Sequence, residues 1–384
     1  MPRILMLTEW LPPDYGAVGQ YSLGFAKELA AQGHDVTLVG LSSTSASVER
    51  TTQGKGSLTV RRIRRPKEDG GGLAARVRWM LASNIALLWA GRSGLRTADE
   101  LRFTAAPAYM LHFAMPVAKL LRVRTRYRIT DFHPECLFAT MARVPSWMRP
   151  IAATTRFWRR RVDAIEVLGE DQRRRLEESR VDPSKVELRR DPSPVRVSPE
   201  TRPADRPPSL AGRRIVLYSG SWGVWHDHET FVEGFARFCA AHPSTAGLWI
   251  NAAGNRATLV ERDLGRRGLP VARTHLVPLD ELPGVLAAAD LHLVTLLDAF
   301  VGYVLPSKVY ACIESGKPIL FVGSARSDVH LVCGERMPAS KYRRVDVGDA
   351  EGVARALQEL LIGASGRGRR PAEAGPTGDL EVSG

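Results

Sequence analysis

Cysteine is scarce in this chain: four among 384 residues, Cys136, Cys239, Cys312 and Cys333. None has the short spacing of a metal-ligand set, so buried free thiols in a reducing cytosol are expected. No apolar run of eighteen or more residues occurs, so no membrane-spanning helix is expected. The opening stretch Met1 to Glu9 lacks the long apolar core and small-residue cleavage site of a secretory signal and reads as a short strand. Lysine is scarce too, only 8 of the 54 basic residues. The clusters 61–65, 122–128 and 156–161 are arginine-rich. They lack the glycine and aromatic spacing of RNA-binding motifs, so no nucleic-acid partner is expected. The tail 363–384 lacks apolar periodicity and is expected to be disordered.

What is present is a globular α/β chain. Apolar residues make up 44% and charged residues 25%, and the formal net charge is +13. That excess suits a phosphate-facing surface, and leaves open docking to anionic lipid. Residues 3–8 form an apolar strand, a helix runs to Gly33, and 35–40 form a second strand: a βαβ unit, hence a parallel sheet. Residues 73–91 read as a long helix with Trp79, Leu81, Ile85, Leu88 and Trp89 on its apolar side. Pro192, Pro194, Pro199, Pro203, Pro207 and Pro208 mark a linker. A second α/β run follows, with strands expected at 215–220, 247–253, 274–277, 290–296 and 318–322. The fold class is therefore α/β, with two Rossmann-like doubly wound domains facing across a cleft. The expected divisions are 1–190, a linker over 191–213, and 214–362. Ligands bind beyond the carboxyl ends of such strands, which places 9–19, 131–135, 219–228 and 298–308 around the cleft.

The segment Pro306-Ser307-Lys308 opens a helix that Gly316 and Pro318 end. Serine caps a helix, proline suits its first turn, and glycine its end. Free amides and the dipole favour an anion there, and Lys308 adds a formal positive charge. Gly220 and Gly223 make a turn after a central strand, where backbone can approach a pyrophosphate. Asp131-Phe132-His133-Pro134-Glu135 places three ionisable groups at the end of another strand, suiting an acceptor or sugar site.

These segments, with Gly16-Ala17-Val18-Gly19-Gln20, Tyr218 to Asp227 and Gly316-Lys317-Pro318, resemble the GT-B glycosyltransferases, close to the family-4 retaining enzymes. The likeness covers nearly the whole chain except the tail, and the Pro-Ser-Lys segment carries it most specifically. It implies transfer of a sugar from a nucleotide-sugar donor, most simply a UDP-sugar, to an acceptor hydroxyl, with retention. It implies no cofactor and no metal, and no Asp-x-Asp element is present to hold one. The C-terminal domain would hold the donor through Gly220, Ser221, Gly223, His226, Pro306, Ser307 and Lys308. The N-terminal domain would hold the acceptor through Gly16, Gly19, Asp14 and Glu135. His133, Lys308 and Asp131 are the catalytic candidates, His133 matching a loop histidine that contacts the donor sugar.

The chain departs from the family at two places. Ser221 and His226 stand where many relatives carry an arginine and a lysine. Tyr303 and Ala311 stand where many carry the two glutamates of Glu-x7-Glu, whose second member grips the ribose. Asp298 or Glu314 could compensate. Two other readings stay open: a nucleotide-sugar epimerase of the same fold, and a non-catalytic nucleotide-sugar-binding protein. The location implied is cytoplasmic, with peripheral contact at the inner membrane face through the basic N-domain surface. The acceptor is unidentified.

Overall fold

Strand β1 (Arg3–Trp10) lies between two parallel neighbours, β2 (Asp35–Ser42) and β5 (Glu100–Thr104). This computed structural model describes residues 2–14, 17–67, 70 and 72–363. Around β1 the first sheet has eight strands in the order β3-β4-β2-β1-β5-β6-β7-β8. The others are β3 (Ser47–Gln53), β4 (Gly56–Arg64), β6 (Arg124–Ile129), β7 (Ala164–Val167) and β8 (Val186–Leu188). All pairs are parallel except the β3–β4 hairpin. Its helices are α1 (Ala17–Ala31), α2 (Leu73–Leu95), α3 (Met110–Leu121), the short α4 (Glu135–Phe138), α5 (Arg149–Arg159) and α6 (Glu170–Glu178).

After an extended segment, β9 (Arg214–Ser221) starts a second, six-stranded sheet ordered β11-β10-β9-β12-β13-β14. Its members are β10 (Ala246–Ala253), β11 (Val271–Thr274), β12 (Leu291–Thr295), β13 (Ile319–Val322) and β14 (Tyr342–Val345), all parallel. The helices are α7 (Glu229–Ala241), α8 (Asn255–Arg266), α9 (Leu282–Ala287), α10 (Lys308–Glu314), α11 (Asp328–Arg336) and α12 (Ala350–Leu361). Strands buried on both faces, such as Ile319 to Val322, read as continuous apolar runs because helices cover both sides. The fold class is α/β with two Rossmann-like domains, as expected. The expected tail lies outside the described residues.

The lobes meet directly. The Phe132 amide donates to the Tyr303 carbonyl at 2.9 Å, and Asp131 pairs with Val304 in an antiparallel bridge. Arg175 donates to the Val301 carbonyl and lies 4.5 Å from the centre of the Tyr303 ring. Arg190 forks onto the buried Asp328 at 2.9 and 3.0 Å. One apolar cluster runs through both, joining Ile129, Phe132, Leu168 and Leu176 to Val301, Val304, Phe321 and Val329.

Two expectations are corrected here. Helix α2 does not bury the side carrying Leu81, Ile85 and Trp89; these are exposed. Its packed face is Ala75, Leu87, Ala90, Gly91 and Gly94. Small residues let the helix sit close on β1: a Cβ at Gly91 would stand 3.2 Å from Leu5. The strand expected at 274–277 lies at Val271–Thr274, because Leu248 to Asn251 pair with it there. Asn251 Nδ2 then binds the His275 carbonyl and ends the ladder.

Candidate active site

The carboxyl ends of β1, β6, β9 and β12 converge on the gap between the lobes. Two groups of polar side chains stand there, joined by the segment 302–308.

The first group surrounds Lys308. Its ammonium lies 3.4 Å from the centroid of the Tyr218 ring and donates to the Ser221 carbonyl at 3.3 Å. Burial pushes its pKa well below the ordinary lysine range. No carboxylate among the described residues forms an ion pair with it. An uncompensated ammonium held this way gains from any anion that reaches it. Gly220 supplies the approach: its φ is +111°, and a Cβ would stand 3.6 Å from Lys308 Cε. Gly223 is less constrained, since a Cβ there would make ordinary contact with Trp225.

The helix contributes less than its sequence suggests. α10 has seven residues, and Ser307 is helical at φ −58° with no side-chain cap bond. The Pro306 carbonyl takes the Val309 amide at 3.1 Å and starts the turn instead. The amine, not a long dipole, carries the positive charge. Ser307 does face the other lobe: it lines a small cavity with Val18, Tyr21, Arg128, Thr130, Leu168 and Asp191.

His226 is buried, with Nδ1 2.6 Å from the Thr295 carbonyl. Burial first, then the Lys308 charge, lower its pKa to about 3. It is therefore a neutral imidazole, not a cation standing in for one. Neighbouring Asp227 accepts from the Thr230 hydroxyl at 2.8 Å and the Phe231 amide at 3.3 Å, capping α7.

The second group belongs to the N-terminal lobe. Burial raises the Asp131 pKa to about 6. Glu9, at the end of β1, is raised to about 7, by burial and then by the Asp131 carboxylate. The Asp131 charge thus adds to the cost of ionising Glu9. The sequence reading missed Glu9; its place at the carboxyl end of the first strand was the available signal. Burial lowers His133 to about 4, so its ring is neutral, tilted against Tyr109 at 5.9 Å between centroids. Glu135 is engaged: the fully buried Arg159 donates to both its oxygens, at 2.6 and 3.0 Å, and to the His133 carbonyl at 2.9 Å.

The remaining acceptor candidates separate. Gly16 lies outside the described residues. Gly19 sits in the first turn of α1 rather than in a loop. A Cβ there would overlap the Trp10 carbonyl, so close helix–strand packing accounts for this glycine. Asp14 accepts from the Ser43 amide at 2.7 Å and from its hydroxyl, bracing two loops. Neither proposed compensating carboxylate stands near Lys308 in an ion pair: Glu314 is exposed in the last turn of α10, and Asp298 is exposed before it. Ala311 is buried and Tyr303 packs on Phe132. Among the described residues no group of three or more His, Cys, Asp or Glu could hold a metal ion.

Residues 16–190 match the family model of the glycosyl transferase 4-like domain. No curated protein sequence matches the chain. Among solved structures, sucrose-phosphate synthase from Thermosynechococcus elongatus superposes with a TM-score of 0.67 at 13% identity, covering 94% of this chain and 90% of the other. Trehalose-6-phosphate from E. coli bound with UDP-2-fluoro glucose gives 0.63 at 11% identity, covering 94% and 91%. Anabaena HepE in complex with UDP and glucose gives 0.62 at 11% identity, covering 93% and 89%. At these identities the structural likeness speaks to the fold.

Proposed function

We propose that this chain, which matches a glycosyl transferase 4-like domain over residues 16–190 and has the two-domain fold of sucrose-phosphate synthase, is a glycosyltransferase that moves a sugar from a nucleoside-diphosphate donor to an acceptor hydroxyl. The donor diphosphate lies against Lys308, Gly220, Ser221 and Ser307, and its sugar reaches toward His133. UDP is the leading nucleotide, since the E. coli and Anabaena neighbours were solved with UDP compounds. The acceptor enters beside Asp131 and Glu9. No metal is required in this reading, because the ammonium neutralises the diphosphate.

The reaction breaks the bond from the anomeric carbon to the β-phosphate oxygen and forms one to the acceptor oxygen. The acceptor proton passes to the departing phosphate, on the same face of the sugar, which gives retention. Stabilisation of that leaving group by Lys308 does most of the catalysis, because the amine is already positioned and the arriving diphosphate favours its charged form. Asp131 and Glu9 hold the acceptor hydroxyl and are not asked to remove its proton.

The observation that carries this reading is the Lys308 amine, half-buried over Tyr218 beside Gly220 and, among the described residues, without a carboxylate in an ion pair. Calorimetric titration with UDP tests it. Binding that Lys308→Ala weakens supports it; equal binding by both proteins removes the assignment. The Glu9–Asp131 pair favours a second reading, a nucleotide-sugar epimerase, which needs buried acid and base groups near the sugar. Incubation with donor alone separates the two: an isomerised sugar would support the epimerase.

A further inference from the structure

Helices α2, α3 and α5 contain no Asp or Glu at all. Every other helix of eight or more residues carries at least one, namely α1, α6, α7, α8, α11 and α12. The three lie side by side over one face of the first sheet. Asn84 of α2 donates to the Ala108 carbonyl ahead of α3 at 3.0 Å, and His112 of α3 meets Thr155 of α5 at 3.1 Å.

The outer surface of this layer is apolar and basic. On α2, Val77, Leu81, Ile85 and Trp89 recur at four-residue spacing and are exposed, Trp89 by 67%. Trp147, just before α5, is 65% exposed, and Phe157 on α5 is also exposed. Arginines sit against these rings: Arg92 lies 4.3 Å from the Trp89 ring centre and Arg161 3.6 Å from that of Phe157. Arg149, Arg156 and Arg160 are exposed alongside. At the rim Asp163 pairs with Lys119 near the end of α3.

We propose that the α2–α3–α5 face docks on an anionic lipid bilayer. This rests on the reading of a basic N-lobe surface as a peripheral membrane contact, and names its residues and its lipid chemistry. Aromatic and aliphatic side chains enter the acyl boundary, while guanidinium groups meet lipid phosphates. Charge complementarity selects this occupant: the three helices carry cations and no acid among the described residues, which fits a negatively charged sheet. The face also borders the acceptor side of the cleft. Trp79 of α2 stacks on Trp10, next to Glu9, at 5.8 Å, and Arg159 of α5 holds the Asp131–Glu135 loop through Glu135.

Flotation with vesicles tests this on the full chain. Binding is expected to vesicles of phosphatidylcholine mixed with phosphatidylglycerol, not to phosphatidylcholine alone, and to weaken with salt. The exposed-site variant Trp89→Ser/Trp147→Ser/Phe157→Ser is expected to lower the partition about tenfold or more. Arg156→Gln/Arg160→Gln/Arg161→Gln is expected to lower it by roughly the same order. No partition into anionic vesicles at low salt overturns the proposal, as does unchanged partition of both variants. A dimer in solution that the aromatic variant dissociates assigns the face to a second copy and also overturns it. UDP calorimetry on the same variants is expected to be unchanged; its loss in the parent protein would strike the donor site and not this surface.

Discussion

Asp171 and Asp328 cap each other's helices across the boundary between the lobes. The Asp171 carboxylate accepts the Asp328 amide at 3.0 Å, at the start of α11, and the Asp328 carboxylate accepts the Glu170 amide at 3.0 Å, at the start of α6. Two helix N-termini, each with unsatisfied amides, thus face one another, and each lends the other an acid. Gly169 permits the approach, since a Cβ there would come within 2.6 Å of Asp328 Cβ. Arg190 completes the arrangement. Replacing Asp328 with Ala takes the buried partner from Arg190, leaving it Glu335 alone, and uncaps α6, while Asp171 still caps α11. A loss of about 3–5 kcal/mol is expected, the cost of breaking a buried pair from one side. Denaturant unfolding measures it; a loss below 1 kcal/mol, roughly that of an exposed pair, would show that the lobes are held elsewhere.

Lys308 is expected to trade stability for activity. Its pKa is depressed in the folded state, so folding favours the neutral amine, and its stabilising share is lost as pH falls through that depressed value. Lys308→Met should therefore raise the melting temperature of the free protein at neutral pH. It should also abolish the thermal shift produced by UDP and lower kcat/KM by about 100- to 1000-fold. A variant that melts higher and turns over normally would refute the role.

Glu9 gives a pH signature of opposite sense. Its folded pKa is raised to about 7, so its contribution is fully present below the unfolded value and fades as pH rises toward 7. Glu9→Gln should thus stabilise the protein at pH 8, by at most about 3 kcal/mol, and leave it unchanged near pH 4. Thermal melts across that range are the measurement. An equal change at both ends would mean that packing, not ionisation, decides.

Glu135 is expected to behave as a structural anchor. Glu135→Gln leaves the fully buried Arg159 with a neutral partner. A stability loss of about 3 kcal/mol is expected, with a lower melting temperature before any change in acceptor KM. A raised KM in a protein of unchanged stability would return Glu135 to the acceptor site.

The alternation of strands and helices was legible because parallel sheets bury whole strands, and Leu217 or Ile319 sit in unbroken apolar runs. The Pro-rich stretch and the Pro-Ser-Lys turn were legible from backbone chemistry. Helix α5 was not, because its arginines read as a cluster of charge; only the fold shows that Arg159 points inward while Arg156 and Arg160 point out. The β3–β4 hairpin was hidden for a similar reason, its strands being rich in Thr and Arg at an exposed sheet edge. The outward face of α2 was misread because hydrophobicity alone marked Trp89 as interior, whereas the glycines set which side could approach β1. Glu9 and its partnership with Asp131 depend on two strand ends meeting, which residue spacing along the chain does not encode.

The apolar cluster that joins Leu168 and Leu176 to Val304, Phe321 and Val329 bears on how this molecule comes apart. Prising the halves open would wet oily surface on each, so neither is an autonomous bead on a string. Scanning calorimetry should record a single heat-absorption peak for the intact polypeptide, and a fragment ending near residue 190 should emerge sticky and short of its proper enthalpy.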